Sequence, residues 1–369
     1  MRGSSQQALL DGFFASLRGS AALVRSVSDR AFAKARSHLH VPALTGLNDD
    51  LVARAEAAGL VPRWRGLRLV AADASVLMPA MRRCARTRGL ADADQRLFAL
   101  YLPGAELTLH AGVHSGAESE RAMLVNALDR LGADDVLLLD RGYPAAWLIN
   151  LLNERGIRFV VRCDSRSGGW RGVRAFIRSS LPEAHITLSA PAAQDAADWQ
   201  CSARPPQVRV VRQIAPNGQV RVLMTNLSAE QAPAESFGWL YHQRWRIEEA
   251  FKRLKHRLHL EAVSGLSQHA LMVDLAAKTL ADNLASLMAR AAHARADAAA
   301  DKACPPGHAL AGLQRIVPRA LLALGDVLAL VDDALATLAR SLKRRKPGRS
   351  SPRRSPKLKP HPSLAYKRG

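Results

Sequence analysis

Hydrophobic positions along the chain follow two different periods, and the change of period marks where helices give way to strands. Residues 8–60 carry apolar side chains at helical spacing, which predicts a helical region at the N-terminus. From Gly66 onward, short apolar runs bounded by turn residues predict strands. The predicted strands are Leu67 to Asp73, Arg96 to Leu102, Leu107 to Val113, Asp135 to Leu139 and Ile157 to Arg162. Helices are predicted between them at Glu118 to Leu131 and Pro144 to Arg155.

The order of these elements indicates a fold class. Three strands, a helix, a strand, a helix and a strand follow one another, which is the order of a ribonuclease-H-like core. Further on, Val208 to Ile214 and Gln219 to Met224 flank the turn signal Ala215-Pro216-Asn217-Gly218, which predicts a β-hairpin. We therefore expect an α/β protein with a ribonuclease-H-like mixed-sheet core, a β-rich insertion, an N-terminal helical domain and C-terminal helices.

The pattern predicts five parts. Residues 1–62 form a helical N-terminal domain, 63–163 and 235–265 form the core, and 164–234 form the β-rich insertion. Two long helices, near 268–296 and 306–342, make up a C-terminal helical region over 266–342. Residues 343–369 are rich in Pro, Ser, Lys and Arg, which predicts a basic disordered tail.

The charge of the chain points to a polyanionic partner. The 369 residues carry a formal net charge of +21. A charge of this sign and size favours nucleic acid, before an anionic membrane, as the partner. Residues 343–369 hold eleven of the 53 Lys and Arg and no acid, so 42 basic and 32 acidic residues leave +10 for the rest. The basic character is therefore not confined to the tail.

Cysteine usage and hydropathy bear on the compartment. Cys84, Cys163, Cys201 and Cys304 are far apart and form no CxxC pair, so neither a zinc site nor a disulfide framework is predicted. The apolar stretch Ala320 to Val331 contains Asp326 and is too short to span a bilayer. The first residues lack a signal-peptide core. These features predict a soluble protein of a reducing cytosol.

One segment combines charge with helical spacing. Tyr241, Arg244, Glu248 and Lys255 are separated by three, four and seven positions. At roughly 100° per residue they share one narrow stripe of a helix, beside an apolar stripe that can be buried. On the same geometry Glu249, Arg246 and Arg253 point away from this stripe. A carboxylate among phosphate-binding groups at the border of a core suits a metal-dependent enzyme that acts on a polyanion.

Three acids are candidates for metal binding. Asp73 and Asp140 follow predicted strands, at the edge where α/β sheets usually place their sites, and Glu248 is on the helix that would pack beside them. Carboxylates are hard oxygen ligands suited to Mg²⁺ or Mn²⁺. With two ions, one can activate the attacking oxygen while the other stabilises the leaving 3′ oxygen. We therefore expect two divalent ions at Asp73, Asp140 and Glu248.

The helical motif Tyr-x2-Arg-x3-Glu-x6-Lys resembles the signature of the DDE transposases of bacterial insertion sequences, in the IS-four family. The resemblance to this family covers roughly residues 20–295 and includes two further segments, Asp73-Ala74-Ser75 and Asp140-Arg141-Gly142-Tyr143. It implies that Asp73, Asp140 and Glu248 are the catalytic triad, that Tyr241, Arg244 and Lys255 contact DNA phosphates, and that the N-terminal helices grip the transposon end. It also implies cut-and-paste DNA transposition through a hairpin intermediate, by a homodimer in the synaptic complex.

Other interpretations remain open. A transposase-derived DNA-binding protein without catalysis is the main alternative, and a hydrolytic nuclease of the same fold is a further one. The signature helix could also be an ordinary surface helix with salt bridges. His110 and His114 lack metal-type spacing, which favours structural roles for both. Relatives can stack an insertion tryptophan on a flipped base, but for Trp170 and Trp199 ordinary packing is favoured.

Overall fold

The computed structural model describes residues 5–79, 95–163, 170–214, 218–263, 265, 267–299, 301–322 and 325–344. Two compact units are distinguished by their internal contacts. The first unit, the sheet unit, comprises Val52–Val76 and Arg96–Phe251. The second, the helical unit, comprises Met1–Leu51, Leu77–Gln95 and Lys252–Gly369.

The sheet unit is built on a nine-stranded mixed sheet. Its strands are β1 (Arg63–Trp64), β2 (Leu67–Leu77), β3 (Gln95–Leu102), β4 (Leu107–Ser115), β5 (Asp135–Leu139), β6 (Arg158–Cys163), β7 (Glu183–Thr187), β8 (Gln207–Ile214) and β9 (Val220–Thr225). Their order is β4-β3-β2-β5-β6-β9-β8-β7, and β1 pairs with the start of β2. The pairs β2–β5 and β5–β6 are parallel, whereas β6–β9, β9–β8 and β8–β7 are antiparallel.

This topology confirms the predicted fold class. The first five long strands have the spatial order of a ribonuclease-H-like core, with the third strand at one edge and the parallel pair in the middle. All five residues of β5 are buried, as its continuous apolar run predicts. The hairpin partners β8 and β9 pair as predicted, and their turn residues 215–217 lie outside the described part of the chain. Strands β7–β9 extend the same sheet beyond β6.

Helices flank the sheet and make up most of the helical unit. In the sheet unit they are α4 (Glu120–Val125), α5 (Ala146–Glu154), α6 (Arg171–Ser179), α7 (Ala193–Asp198), α8 (Phe237–Gln243) and α9 (Arg246–Lys252). In the helical unit they are α1 (Gln6–Leu17), α2 (Asp29–Ser37), α3 (Val41–Ala57), α10 (Gln268–Arg295), α11 (Pro306–Leu321) and α12 (Val327–Arg340). Helix α3 runs on into the sheet unit, and α9 ends at its border with the helical unit.

Three predicted elements differ in their bounds. The single helix predicted at Glu118 to Leu131 is α4 followed by a short 3₁₀ turn at Leu128–Arg130. The long helix predicted near 306–342 is divided into α11 and α12, because Gly325 adopts a positive φ of 88° between them. The predicted disordered tail begins with Lys343–Arg344 in a short strand, β11, which pairs with β10 (Lys302–Ala303). Residues 345–369 of that tail lie outside the described residues.

A buried polar layer holds the helical unit together. Arg253, which is 8% exposed, donates to both carboxylate oxygens of Asp282, and its Nε lies 2.8 Å from Oδ1. One residue further along α10, the fully buried Asn283 donates to Asn48 of α3 at 2.7 Å. Arg253 begins a π-helical turn, Arg253–Arg257, so the regular 100° rotation that sets it apart from the stripe does not apply there. That Arg253 points away from the face of Glu248 stays a prediction.

Within the described residues, none of the helices combines the length and the apolar composition that crossing a bilayer requires. Cys163, Cys201 and Cys304 are free thiols, in line with the absence of a disulfide framework among the described residues. Cys84 lies outside those residues.

Arg253→Ala should destabilise the protein strongly, by about 3–5 kcal/mol, because the buried Asp282 would lose the guanidinium that now bonds both of its carboxylate oxygens. Urea unfolding followed by circular dichroism measures this cost. The matched control is Arg295→Ala, which removes an ion pair to Asp332 whose side chains are 42% and 61% exposed. The control should leave the urea midpoint nearly unchanged, since solvent screens that pair. Equal shifts in both variants would show that burial of the Arg253 pair contributes nothing.

Candidate active site

The parallel register of β2 and β5 brings two predicted site residues to the same level. Ala71 of β2 pairs with Leu138 of β5, and Asp73 and Asp140 each lie two residues beyond that pair. Neighbouring strands run about 4.8 Å apart, so the two carboxylates are close together. One detail of the prediction was wrong: Asp73 does not end its strand. β2 continues to Leu77 because β3 still pairs with it on the other side, after β5 has ended.

A tight turn follows β5 and fixes the Asp140 side chain. The backbone N–H of Gly142 donates to Asp140 Oδ1 at 2.7 Å. A Cβ at Gly142 would lie 3.0 Å from that oxygen and 3.4 Å from Glu120 Oε2, so this position favours glycine through close approach. Arg121 donates to the carbonyls of Tyr143 and Pro144 at 3.0 and 3.1 Å, which holds the end of the turn.

Arg244 joins the sheet to the signature helix. Its Nη1 donates to Asp73 Oδ2 at 3.1 Å across a separation of 171 residues. Its Nη2 lies 3.7 Å from Glu248 Oε1. The Arg244 residue is only 5% exposed, and its guanidinium carbon lies 5.8 Å from the ring of Tyr241. Each of the three acids that the sequence singled out thus interacts with one buried cation: Arg244 bonds Asp73, lies near Glu248 and is within electrostatic reach of Asp140.

The signature segment is not one regular helix. Helix α8 ends at Gln243, and the N–H groups of Ile247 and Glu248 reach back three residues to the carbonyls of Arg244 and Trp245. These shorter bonds tighten the turn before α9 begins. The predicted single stripe is therefore correct for Arg244 and Glu248 but not as a continuous helical face.

The remaining residues of the signature have different environments. Tyr241 is 4% exposed and packs in the core of the sheet unit, among Phe237 and Leu240. Glu249 is exposed, in line with its interpretation as a surface charge. Arg246 donates to the carbonyl of Pro103 at 2.9 Å, so it bonds the turn between β3 and β4. Lys255 lies in the π-helical turn of the helical unit, and its contact with DNA stays a prediction.

Glu120 is a fourth carboxylate that the sequence reasoning missed. Ser119 caps α4 by accepting from Ala122, which sets Glu120 in the first turn of the helix. Arg96 of β3 donates to Glu120 at 3.0 Å, and Asp140 adds electrostatic repulsion. Burial is the main reason that the pKa of Glu120 is raised. The capping pattern Ser119-Glu120 was readable in the sequence, but nothing in it placed this helix start beside Asp140.

Burial and crowding raise the pKa of Asp73 as they do that of Glu120. Burial raises the pKa of Asp73 to about 6, and repulsion by Asp140 and Glu120 adds to the shift. Arg244 and the backbone N–H of Ala74 act in the opposite direction without cancelling it. The cluster is therefore short of positive charge even with Arg244 in place, which is the environment that a bound cation would relieve.

No formed metal centre is present among the described residues, since none of their His, Cys, Asp and Glu side chains converge in groups of three. Arg244 takes one oxygen of Asp73, which keeps that carboxylate turned toward the guanidinium. The hard oxygen donors and their unrelieved charge fit Mg²⁺ or Mn²⁺ all the same.

His114 bonds Glu118 at 3.0 Å, in line with the structural role favoured for it.

Trp199, at the C-terminal end of α7, packs against another tryptophan of the sheet unit. Trp199 stacks on Trp147 with ring centroids 4.5 Å apart and planes 5° from parallel. This contact accords with ordinary packing for Trp199. Trp170 occupies the N-cap position of α6 without a side-chain capping bond, and it is half-buried.

Comparison with known families gives one match. A family model described as "Transposase DDE domain" matches residues 75–284, which is more than half of the chain. Asp140 and Glu248 lie inside the matched region, and Asp73 lies just before it. A comparison with curated proteins found no match.

The raised pKa of Asp73 makes a prediction about stability. Between pH 4 and 6 the folded protein holds a proton on Asp73 that the unfolded chain has lost, so this group's contribution to the free energy of unfolding falls as pH rises. Over that window the loss is about 2–3 kcal/mol, from about 1.36 kcal/mol per pKa unit. Asn cannot ionise, so native protein should lose stability relative to Asp73→Asn across this range.

Urea unfolding of both proteins in a chelator, at pH 4.5 and pH 7, measures this difference. A constant difference between native protein and the variant across the range would show that Asp73 titrates normally. Asp129→Asn is a suitable control, because its side chain is 95% exposed and its difference from native should not vary in this way.

Proposed function

The chain belongs to the transposase DDE domain family, and from that membership we propose that it is an active, metal-dependent transposase that cuts and pastes its own insertion sequence. Membership itself indicates a function related to DNA transposition. Retained catalysis, the cut-and-paste route and the IS-four branch are the finer parts of the proposal. The net charge of +21 supports DNA as the partner.

One observation carries the proposal of retained catalysis. Arg244 bonds Asp73, lies near Glu248 and is acted on by Asp140, so all three predicted catalytic acids are present and grouped. Burying acids is costly, and the raised pKa of Asp73 shows that the cost is not fully compensated. A protein that only binds DNA has no use for such a group. An intact acidic cluster therefore favours the enzyme over the inactive DNA-binding protein.

Two divalent ions, Mg²⁺ or Mn²⁺, would be held by Asp73, Asp140 and Glu248. Divalent ions bound there would polarise the scissile phosphodiester and lower the pKa of the attacking water. Binding of cations to Asp73 competes with its bond to Arg244. The proposed consequence is that Arg244 becomes available to a DNA phosphate when the acids are neutralised by other cations.

The chain's own groups then have distinct tasks. Arg244, whose ring neighbours Tyr241 and Trp245 restrict its movement, would hold a phosphate through its planar fork. Tyr241 would support Arg244 from inside the core, and Lys255 would add a second phosphate contact. In the proposed reaction water attacks phosphorus and the P–O3′ bond breaks, which leaves a 3′ hydroxyl. That hydroxyl then attacks a phosphodiester of the target DNA, the target's own P–O3′ bond breaks and releases a 3′ hydroxyl, and the element is joined to the target strand.

Two further parts of the proposal concern assembly. A homodimer would bring both transposon ends together, and the N-terminal helices α1–α3 would grip each end. In α2 the basic residues Arg30 and Lys34 are exposed, which supports contact with a polyanion. The third basic residue, Arg36, has a side chain that is only 12% exposed and lies 3.9 Å from Asp274. The alternative, a transposase-derived protein that binds DNA without cutting it, shares all of these features except the need for intact acids.

Asp73→Asn, Asp140→Asn and Glu248→Gln should each reduce strand cleavage by more than tenfold while binding to transposon-end DNA persists. Each change removes a metal ligand but makes the site less negative, so electrostatic attraction to DNA does not weaken. The measurement is cleavage of a labelled end duplex in Mg²⁺ beside a gel-shift titration at the same salt concentration. Glu249→Gln is the matched control, because it removes one exposed negative charge on the same helix.

The alternatives make different predictions for the same assay. An inactive DNA-binding protein would show no cleavage with native protein and unchanged end binding. A plain nuclease would cut but would not join ends to target DNA. Cleavage above a tenth of native in any one acid variant would remove that residue from the triad.

Arg244→Gln should weaken binding to a pre-cleaved end, and Arg246→Gln should cost much less. The two substitutions lie two positions apart and remove the same charge. Arg244 bonds Asp73, however, whereas Arg246 bonds the carbonyl of Pro103. Competitive binding at one fixed salt concentration compares them directly. Equal losses would mean that DNA is held by diffuse charge, which would contradict a defined phosphate site at Arg244.

A further inference from the structure

Tyr143 has a buried hydroxyl whose purpose the fold does not explain. The residue is fully buried, and its Oη has no hydrogen-bond partner in the structure. A buried donor without a partner is destabilising, and phenylalanine would fill the same space without that cost. A polar group kept in this position needs an acceptor in some other state of the protein.

The surroundings of the hydroxyl indicate which acceptor that is. Burial is the main reason that the pKa of Tyr143 is raised, and the carboxylates of Asp73, Glu120 and Asp140 add to it. The phenol therefore stays protonated and lies within the electrostatic reach of three acids. A neutral donor beside carboxylates offers them a hydrogen bond without adding positive charge.

Tyr143 is also held on a rigid element. It ends the turn that begins at Asp140, and the Tyr143 N–H lies 3.4 Å from the Asp140 carbonyl. Arg121 fixes the Tyr143 carbonyl, and the Gly142 N–H fixes the Asp140 carboxylate from the same turn. The backbone at Tyr143 is therefore fixed in the same turn as Asp140, so rotation of a neighbouring carboxylate would bring an acceptor to the buried hydroxyl.

We propose that Tyr143 is a positioning residue of the acidic cluster. Its hydroxyl donates to a carboxylate oxygen of Asp73 or Asp140 when those side chains turn away from Arg244 and Gly142 toward bound divalent ions. The bond holds that carboxylate in the orientation that binds the ions. This inference rests on the proposed function, since it assigns a residue to the same metal-binding cluster.

The proposal predicts that losing the Tyr143 hydroxyl has different effects on stability without ions and on the binding of divalent ions. Without divalent ions the hydroxyl is an unsatisfied group, so Tyr143→Phe should leave the melting temperature unchanged or raise it. With ions bound the hydroxyl is satisfied, so the same change should weaken ion binding. A residue that only supports the fold would lower the melting temperature without affecting affinity for ions.

Mn²⁺ is the probe, and the full chain is used throughout. Isothermal titration calorimetry gives the Kd for Mn²⁺, and thermal unfolding in chelator and in Mn²⁺ gives the stabilisation by the ion. For Tyr143→Phe we expect a Kd about tenfold higher than native, the size of a hydrogen bond to a charged group. Cleavage should be reduced at low Mn²⁺ and should recover as Mn²⁺ is raised.

Tyr101→Phe is the matched control, because Tyr101 is 1% exposed on β3 and loses the same hydroxyl. It should bind Mn²⁺ with a Kd within twofold of native. Asp140→Asn serves as the reference for loss of a ligand. It should abolish Mn²⁺ binding at the cluster.

Two results would overturn the inference alone. One is native-like Mn²⁺ affinity in Tyr143→Phe while Asp140→Asn abolishes binding. The other is a clear fall in the melting temperature of Tyr143→Phe in chelator, which would reveal a partner for the hydroxyl in the ion-free protein. If native protein and Asp140→Asn bound Mn²⁺ equally, the cluster would not be a metal site, and the proposed function would fail together with the inference.

Discussion

The bond between Arg244 and Asp73 is the interaction on which the candidate site depends. It connects a strand in the middle of the sheet to a helix 171 residues later in the chain. Without a cation at this point, Asp73 would be buried near Asp140 with only the Ala74 N–H to offset the repulsion between the two carboxylates. Arg244 makes that grouping tolerable, yet the pKa of Asp73 remains near 6, so the compensation is incomplete. The protein thus maintains a cluster of acids that retains affinity for further positive charge.

Much of the site could be predicted from the sequence because its parts follow local rules. The buried run of β5 and the turn after it place Asp140 at a strand end, and the spacing of Arg244 and Glu248 places both on one side of a helix. The extension of β2 past Asp73 was missed, because a strand's end depends on its second neighbour, β3, and not on its own residues.

The features that sequence reasoning missed arise from contacts between distant segments. Nothing in the residues around Arg253 indicated that it would be buried against Asp282 of α10. Glu120 gave no local signal of proximity to Asp140, since the two belong to different elements, the start of α4 and the turn after β5. A regular helix was assumed for the signature segment. In the structure the hydrogen bonds shorten to three residues after Arg244, and the backbone becomes π-helical after Lys252. Hydrophobic periodicity predicts the course of a single helix or strand but not the contacts that its side chains make with another element.

The position of Arg244 in the chain also orders events during synthesis. A ribosome makes β2 and β5, with Asp73 and Asp140, long before it makes the arginine that neutralises them. Domains fold as they emerge, so a nascent sheet lacking α8 and α9 carries uncompensated acids at its centre. The last strands and the signature helix must therefore dock before the sheet unit reaches full stability. A nascent chain that ends before α8 would lack Glu248 as well as Arg244, so its sheet would carry Asp73 and Asp140 without the arginine that bonds Asp73.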